Sequence, residues 1–188
     1  MNATTADLVT LLSEANLVIE NARSWFGALT PTQLNWKPSA ERWSVAQCFE
    51  HLLTTNKGYF PLIDDVLSGQ KTKSVWQRVP IFPGIWGKLL VKSMDPTTKR
   101  KVKAPKKFQP SASDIGPTII EDFTEQQLQL IASMKATEHL DVAKIIIPSP
   151  VTAVINYSLL DAYRLIVVHE QRHSLQAKRV TEENSFPH

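Results

Sequence analysis

The sequence predicts an all-α protein, a four-helix bundle with a long crossover between its second and third helices. Four stretches carry apolar residues at helical spacing, and the proline- and lysine-rich stretch 69–110 separates the second stretch from the third. No stretch alternates apolar and polar residues as a half-buried strand would, and only residues 145–147 are ambiguous. Helices with one apolar face bury it against each other, which favours a bundle.

The first helix is predicted over residues 5–29, where apolar side chains recur every three or four positions. Thr4 or Thr5 can cap its start, because a threonine hydroxyl accepts a hydrogen bond from a free backbone N–H. Pro31 follows the last apolar residue and is expected to stop the helix.

The second helix begins after Ser44, which forms a capping box with Gln47 three residues later. The apolar face then runs over residues 45–67. Pro61 lies inside this run and should bend or interrupt its last turns, because proline has no N–H to donate. His51 falls on the flank of the apolar face.

The rest of the chain predicts the crossover and two further helices. Residues 69–110 form the crossover, with a short helix expected over 86–93. The third helix is predicted over 117–135, because Pro117 suits a first-turn position. The fourth helix is predicted over 159–180.

The composition fits one soluble domain spanning residues 1–188. The chain has 188 residues, of which 43% are hydrophobic and 21% charged, which is enough for a single core. Its one cysteine, Cys48, excludes an internal disulfide framework and a zinc site built from several cysteines. The lone cysteine, and an N-terminus without a basic stretch before an apolar run, lead us to expect a cytoplasmic protein without a signal peptide. No uncharged apolar stretch is long enough to span a bilayer, so no membrane partner is expected.

Positive charge is concentrated in residues 88–107, which hold eight basic residues and one acidic residue, whereas the whole chain carries a net charge of +3. Such a segment, interrupted by prolines, is typical of a solvated loop. Binding of an anionic ligand or of nucleic acid are the alternatives. Because the segment lacks the regular aromatic spacing of a single-strand binding surface, we interpret it as a loop and expect no nucleic-acid partner.

Three histidines are the candidate metal ligands. His169 and His173 are four residues apart in the fourth predicted helix, so they share one face of it. His51 in the second helix can complete a set of three imidazoles. Three neutral imidazoles with an open position commonly form a catalytic zinc site, and the same set suits nickel or iron.

Other interpretations of these histidines exist. His51 can be a histidine at the edge of the core that donates to a backbone carbonyl, and the His169–His173 pair can lie on the surface without metal. However, the pair continues a stripe that is apolar at Leu165 and Ile166. Burying two imidazoles without partners would cost a few kcal/mol, which a bound metal offsets.

Several neighbouring residues are candidates for supporting roles. Gln47 and Gln176 lie one helical turn from His51 and His173 and are candidates to support the ligands or to bind substrate. Arg172 can hold an anionic substrate, although a solvated arginine is the alternative. Glu170 lies about 100° around the helix from His169, so we expect a surface salt bridge there. Cys48 is expected to be a buried structural thiol, with fourth ligand or reactive thiol as alternatives.

Two motifs carry a family resemblance over nearly the whole chain. The run WSVAQCFEHL at residues 43–52 resembles the second-helix motif of the DinB-like superfamily of metalloenzymes, and HEQRHSLQ at residues 169–176 resembles its fourth-helix motif. The runs LNWKP at residues 34–38 and APKKFQP at residues 104–110 are also similar to that family.

The resemblance implies a four-helix bundle with one histidine from helix two and two from helix four around a divalent ion. These correspond to His51, His169 and His173. Members of the family include S-transferases that use low-molecular-weight thiols, a mycothiol-dependent isomerase, and proteins called metal-dependent hydrolases. We therefore expect a zinc, nickel or iron enzyme of the hydrolase or thiol S-transferase type that acts on a small molecule.

Neither the chemistry nor the assembly is decided by the sequence. The ion can lower the pKa of a bound water for hydrolysis, or bind a thiol cofactor as thiolate for S-transfer. The non-enzymatic alternative is a stress-response or binding module whose metal is structural or absent. No catalytic residue beyond the metal ligands is assigned, and helical faces left over after bundle packing make a homodimer an open alternative.

The crossover is expected to overlie the metal end of the bundle and to contribute to substrate choice. Its length allows it to travel back along the bundle from the far end of helix two, because an extended chain covers ~3.3 Å per residue. Apolar cover would come from Trp76, Trp86 and Phe108. Positive charge would come from Lys103 or Lys106. A solvent-facing loop that packs elsewhere is the alternative.

Overall fold

Four long helices form the bundle in the computed structural model, which describes residues 3–69, 106–112, 114–151 and 155–187. They are α1 (Ala3–Phe26), α3 (Val45–Asn56), α5 (Ile119–Ala136) and α6 (Leu159–Thr181). The shorter elements are α2 (Pro31–Asn35), α4 (Phe60–Leu67), a 3₁₀ turn (Lys106–Phe108), β1 (Ile146–Pro148) and β2 (Asn156–Ser158). Both α1 and α3 pack against α5 and α6, so the all-α bundle predicted from the sequence is confirmed. None of the helices in the described ranges is both long and apolar enough to cross a lipid bilayer.

The first helix ends at Phe26, three residues before its predicted end at residue 29. Pro31 does not merely follow a helix; it occupies the first turn of α2. Thr30 caps α2, and its hydroxyl accepts the Gln33 N–H at 3.3 Å. The Gln33 side chain in turn accepts the Thr30 N–H at 2.8 Å, which completes a second capping box in the chain.

The second predicted helix is two helices, α3 and α4, as the proline inside its apolar run indicated. The Ser44–Gln47 capping box is present, with both of its hydrogen bonds at 3.1 Å. Pro61 lies in the first turn of α4, where its missing N–H costs nothing.

The last two helices lie within one or two residues of their predicted bounds. The ambiguous residues 145–147 are partly a strand: β1 pairs antiparallel with β2, with Ile147 opposite Tyr157. The helix expected over 86–93 lies outside the described residues.

The buried apolar side chains form two clusters, one in each half of the bundle. The first includes Leu8, Ile63, Leu130 and Tyr163. The second includes Phe26, Phe49, Phe123 and Val180. Between the two clusters lies a layer of buried polar side chains, which includes Asn56, Gln127 and Glu170.

Glu170 is the centre of this polar layer and is fully buried. One carboxylate oxygen accepts the Asn56 amide N–H at 2.7 Å, and the other accepts the Gln127 amide N–H at 2.8 Å. The surface salt bridge expected for Glu170 is therefore wrong, because α6 is covered on two sides, by α1 and by α3. Burial raises the pKa of Glu170 to about 8, although the two amide hydrogen bonds oppose the rise.

We predict that Gln127→Leu destabilises the protein by about 1–3 kcal/mol, because it leaves one buried Glu170 oxygen without its donor. The measurement is urea unfolding followed by circular dichroism. Gln129→Leu on the exposed face of the same helix is the matched control and should change stability by less than about 0.5 kcal/mol. Equal effects of the two variants would contradict a structural role for the Gln127–Glu170 hydrogen bond.

Candidate metal centre

The imidazoles of His51, His169 and His173 meet in the middle of the bundle. One ring nitrogen from each lies within 4.8 Å of the others. The Nε2 atoms of His51 and His169 are 3.2 Å apart. Residues separated by more than a hundred positions in the sequence thus form one cluster.

The antiparallel packing of α3 against α6 brings the histidines together. Val45, at the start of α3, shares an apolar cluster with Val180 near the end of α6. Asn56, at the end of α3, bonds to Glu170 in the middle of α6. His51 lies between these two contacts and therefore faces the turn of α6 that carries the histidine pair.

A backbone carbonyl fixes the ring of His51. Nδ1 of His51 lies 2.6 Å from the carbonyl oxygen of Phe108. A carbonyl can only accept, so Nδ1 carries the hydrogen and the neutral ring has its lone pair on Nε2. That lone pair is directed to the other two histidines, which is the orientation that a metal ligand needs.

The 3₁₀ turn that supplies this carbonyl is fastened to α3. Gln47 donates its side-chain N–H to the Ser111 carbonyl at 2.8 Å, and the Ser111 N–H donates to Glu50 Oε2 at 2.6 Å. Phe108 itself is buried. Both polar ends of Gln47 are therefore occupied by the cap and by this segment.

The end of the crossover thus reaches the histidine cluster, as the sequence led us to expect. The contact comes from the backbone of Phe108. Trp76, Trp86, Lys103 and the side chain of Lys106 lie outside the described residues.

Burial keeps all three histidines neutral. It lowers the pKa of His51, and it lowers that of His169 to about 3, with the charges of His51 and Arg172 adding to the effect. It also lowers the pKa of His173 well below its usual value, and neighbouring His169, His51 and Arg172 contribute in the same direction. Neutral imidazoles with free lone pairs are the state that binds a divalent cation.

His173 differs from the other two histidines in its surroundings. Its Nδ1 is buried and has no hydrogen-bond partner among the described residues. The Gln176 side chain interacts with the ring and slightly favours its protonated form. Arg172 and Gln176 are both half-buried beside the cluster. A buried nitrogen without a hydrogen-bond partner costs free energy.

Trp43 contacts the cluster and was not predicted to do so. Its indole stacks on His173, with ring centroids 5.6 Å apart and planes at 24°, and it lies 5.0 Å from the ring of His51. The available signal was its position directly before Ser44, the cap of the helix that carries His51.

Cys48 lies apart from the histidine cluster. Its side chain is fully buried, and burial raises the pKa of the thiol to about 12. It does not join the group of close donor atoms formed by the histidines. The prediction of a buried structural thiol is supported over the fourth-ligand alternative, because the thiol packs in the second apolar cluster and does not join the histidine nitrogens.

The donor set fits a divalent transition metal. Two nitrogens on a tetrahedral zinc are about 3.4 Å apart, given zinc–nitrogen bonds of about 2.0–2.1 Å, and the observed separation of 3.2 Å is close to that. Within the described ranges, no carboxylate or thiol completes the group. The cluster therefore offers three nitrogens and leaves further coordination positions open.

Comparison with known families agrees with this geometry. A profile of the DinB superfamily matches residues 15–177, which include all three histidines. The chain belongs to the DinB superfamily. The resemblance carried by the two helical motifs is thus confirmed, and so is the DinB-like fold. Comparison with curated proteins and with solved structures found no significant match.

We predict that the metal-free protein loses stability as pH falls from about 6.5 towards 3. The folded-state pKa of His169 is about 3, so between those values the unfolded chain binds a proton that the folded chain does not. Urea unfolding at a series of pH values, with chelator present, measures how the free energy of unfolding changes with pH. His169→Gln should make this pH dependence shallower by up to about 1.4 kcal/mol per pH unit.

The exposed His139 provides the control for this measurement. His139→Gln should leave the pH dependence of the free energy of unfolding as it is in the unmodified protein. An unchanged pH dependence in His169→Gln would show that the fold does not hold His169 neutral.

Proposed function

We propose that this DinB-superfamily protein is a divalent-metal-dependent enzyme whose ion is held by His51, His169 and His173. The observation that carries the proposal is the convergence of three neutral imidazoles within 4.8 Å, with no other ligand from the described part of the chain in the group. Three protein ligands with open positions are typical of catalytic sites, whereas structural zinc sites are closed by four.

The three nitrogen ligands suit zinc, nickel or iron. When bound, such an ion would supply the Lewis acidity that makes a water or a thiol nucleophilic at neutral pH. The fully buried Cys48 thiol is not available for this role. The thiol of an S-transfer reaction would therefore come from a low-molecular-weight cofactor.

The protein's own residues orient the site and shape its rim. Phe108 holds the His51 ring through its carbonyl, and Gln47 holds the segment that contains Phe108. Arg172 lies close enough to His169 and His173 to lower their pKa values. We propose that its charge attracts an anionic group of a substrate or of a thiol cofactor, and that Gln176 binds that group by hydrogen bonds.

Hydrolysis and S-transfer are two forms of the same proposal. In both, an electrophilic small molecule would bind beside the imidazoles, where the ion would supply a reactive nucleophile. They differ in whether water or a low-molecular-weight thiol is the nucleophile. Activity assays with water or with a low-molecular-weight thiol as the nucleophile distinguish them.

We predict that the purified protein binds about one divalent ion per chain, and that replacing any one of the three histidines by alanine weakens binding more than about 100-fold. The reason is that three ligands leave little redundancy. Metal analysis after dialysis, together with competition against a chromophoric chelator, measures this. His139→Ala, on the surface, is the matched control and should bind as the unmodified protein does. Unchanged metal content in His169→Ala would show that His169 is not a metal ligand.

We also predict that chelation abolishes activity while leaving the helical circular dichroism largely intact. The two apolar clusters supply most of the stability without the ion. Activity is measured with zinc-, nickel- and iron-loaded protein on two panels. One contains activated esters and amides, and the other contains small electrophiles with a low-molecular-weight thiol.

The outcomes of this experiment separate the alternatives. Turnover that is lost in His169→Ala supports the enzyme. Unfolding of the chelated protein at room temperature would instead establish a structural metal. Metal binding without turnover on either panel would favour a binding or stress-response module.

A further inference from the structure

The three imidazoles are held in place by different means. His51 donates from Nδ1 to the Phe108 carbonyl, and its Nε2 faces His169 at 3.2 Å. His173 has no such hydrogen bond, because its Nδ1 is buried without a partner among the described residues. The plane of its ring therefore depends on its contact with the Gln176 side chain and on the rings that pack against its faces and edges.

The indole of Trp43 packs on the face of His173. The ring planes are within 24° of parallel, and the centroid distance of 5.6 Å lies in the range of offset aromatic stacking. The other ring contacts of His173 are edge-on, from His51 and His169, each at 4.6 Å. Edge contacts limit the position of a ring, whereas a stacked neighbour also limits its rotation about χ2.

Trp43 is itself held firmly. It precedes Ser44, whose N–H and hydroxyl both bond to Gln47, and Gln47 is bonded in turn to Ser111. The indole also packs against the second apolar cluster. Its position is therefore set by the start of α3, the same helix that carries His51.

We infer that Trp43 is a positioning residue, which fixes the plane of the His173 imidazole and thereby sets the affinity and geometry of the metal site. This inference rests on the proposed function, since it assumes that His173 is a ligand. The indole does for His173 what the Phe108 carbonyl does for His51. An imidazole free to rotate would spend part of its time with its lone pair directed away from the ion.

The test replaces the indole and measures the metal site directly. Trp43→Leu keeps an apolar side chain but removes the stacking plane, whereas Trp43→Phe keeps an aromatic ring. Trp25→Leu is the matched control, because Trp25 is also a partly buried indole packed on the second apolar cluster, but contacts Phe26 and Lys178 instead of the histidines. Zinc affinity is measured by chelator competition, and the visible absorption bands of bound Co²⁺ report the ligand geometry.

We expect Trp43→Leu to lower zinc affinity about tenfold and to shift the Co²⁺ bands. Trp43→Phe should retain both properties, and Trp25→Leu should leave both unchanged even where it lowers thermal stability. If the leucine variant does not fold, Trp43→Met provides a second apolar replacement without a ring.

Two results overturn the inference, and they are distinguishable. If the unmodified protein binds no divalent ion, the proposed function fails and this inference fails with it. If the unmodified protein binds an ion but Trp43→Leu, or Trp43→Met in its place, has the same affinity and the same Co²⁺ spectrum, only the role of Trp43 is refuted.

Discussion

The buried carboxyl group of Glu170 constrains how α6 sits in the bundle. A carboxyl group without water needs hydrogen-bond partners, and Asn56 from α3 and Gln127 from α5 provide them. Turning α6 about its axis, or sliding it by a turn, would break both hydrogen bonds inside an apolar core. Because His169 is the preceding residue, about 100° around the same helix, the bonds that hold Glu170 also direct His169 towards α3. The arrangement of the histidine cluster therefore depends on the polar layer, although no side-chain hydrogen bond among the described residues joins the layer to the three imidazoles.

The long helices and the histidine set could be predicted because their signals are local. Helical spacing of apolar residues gave four helices, and the interval between His169 and His173 placed both on one face. The capping box at Ser44 also gave the start of α3 correctly. The residues that set each helix, its cap and the His169–His173 pair lie within a few positions of one another, whereas His51 is joined to that pair only by the packing of α3 against α6.

Glu170 was misjudged because its partners are distant in the sequence. A charged residue next to an apolar stripe is normally on the surface, and only contact with both α1 and α3 makes that face of α6 an interior one. Asn56 and Gln127 carry no mark in the sequence that assigns them to Glu170. The same limit applies to Trp43, whose neighbour His173 lies on another helix. Short elements were missed for a different reason: α2 consists of five residues, and its Thr30–Gln33 capping box lies beside a proline that was interpreted only as a stop.

The bond from His51 to Phe108 has a consequence for how the protein can change over evolutionary time. Every amino acid has the same main-chain carbonyl. The hydrogen bond that orients the His51 imidazole therefore does not require a particular side chain at position 108. A substitution at position 108 that keeps the backbone in place would therefore leave the imidazole of His51 aligned. The orientation of this ring is set by the path of the chain and not by the chemistry of the side chain at position 108.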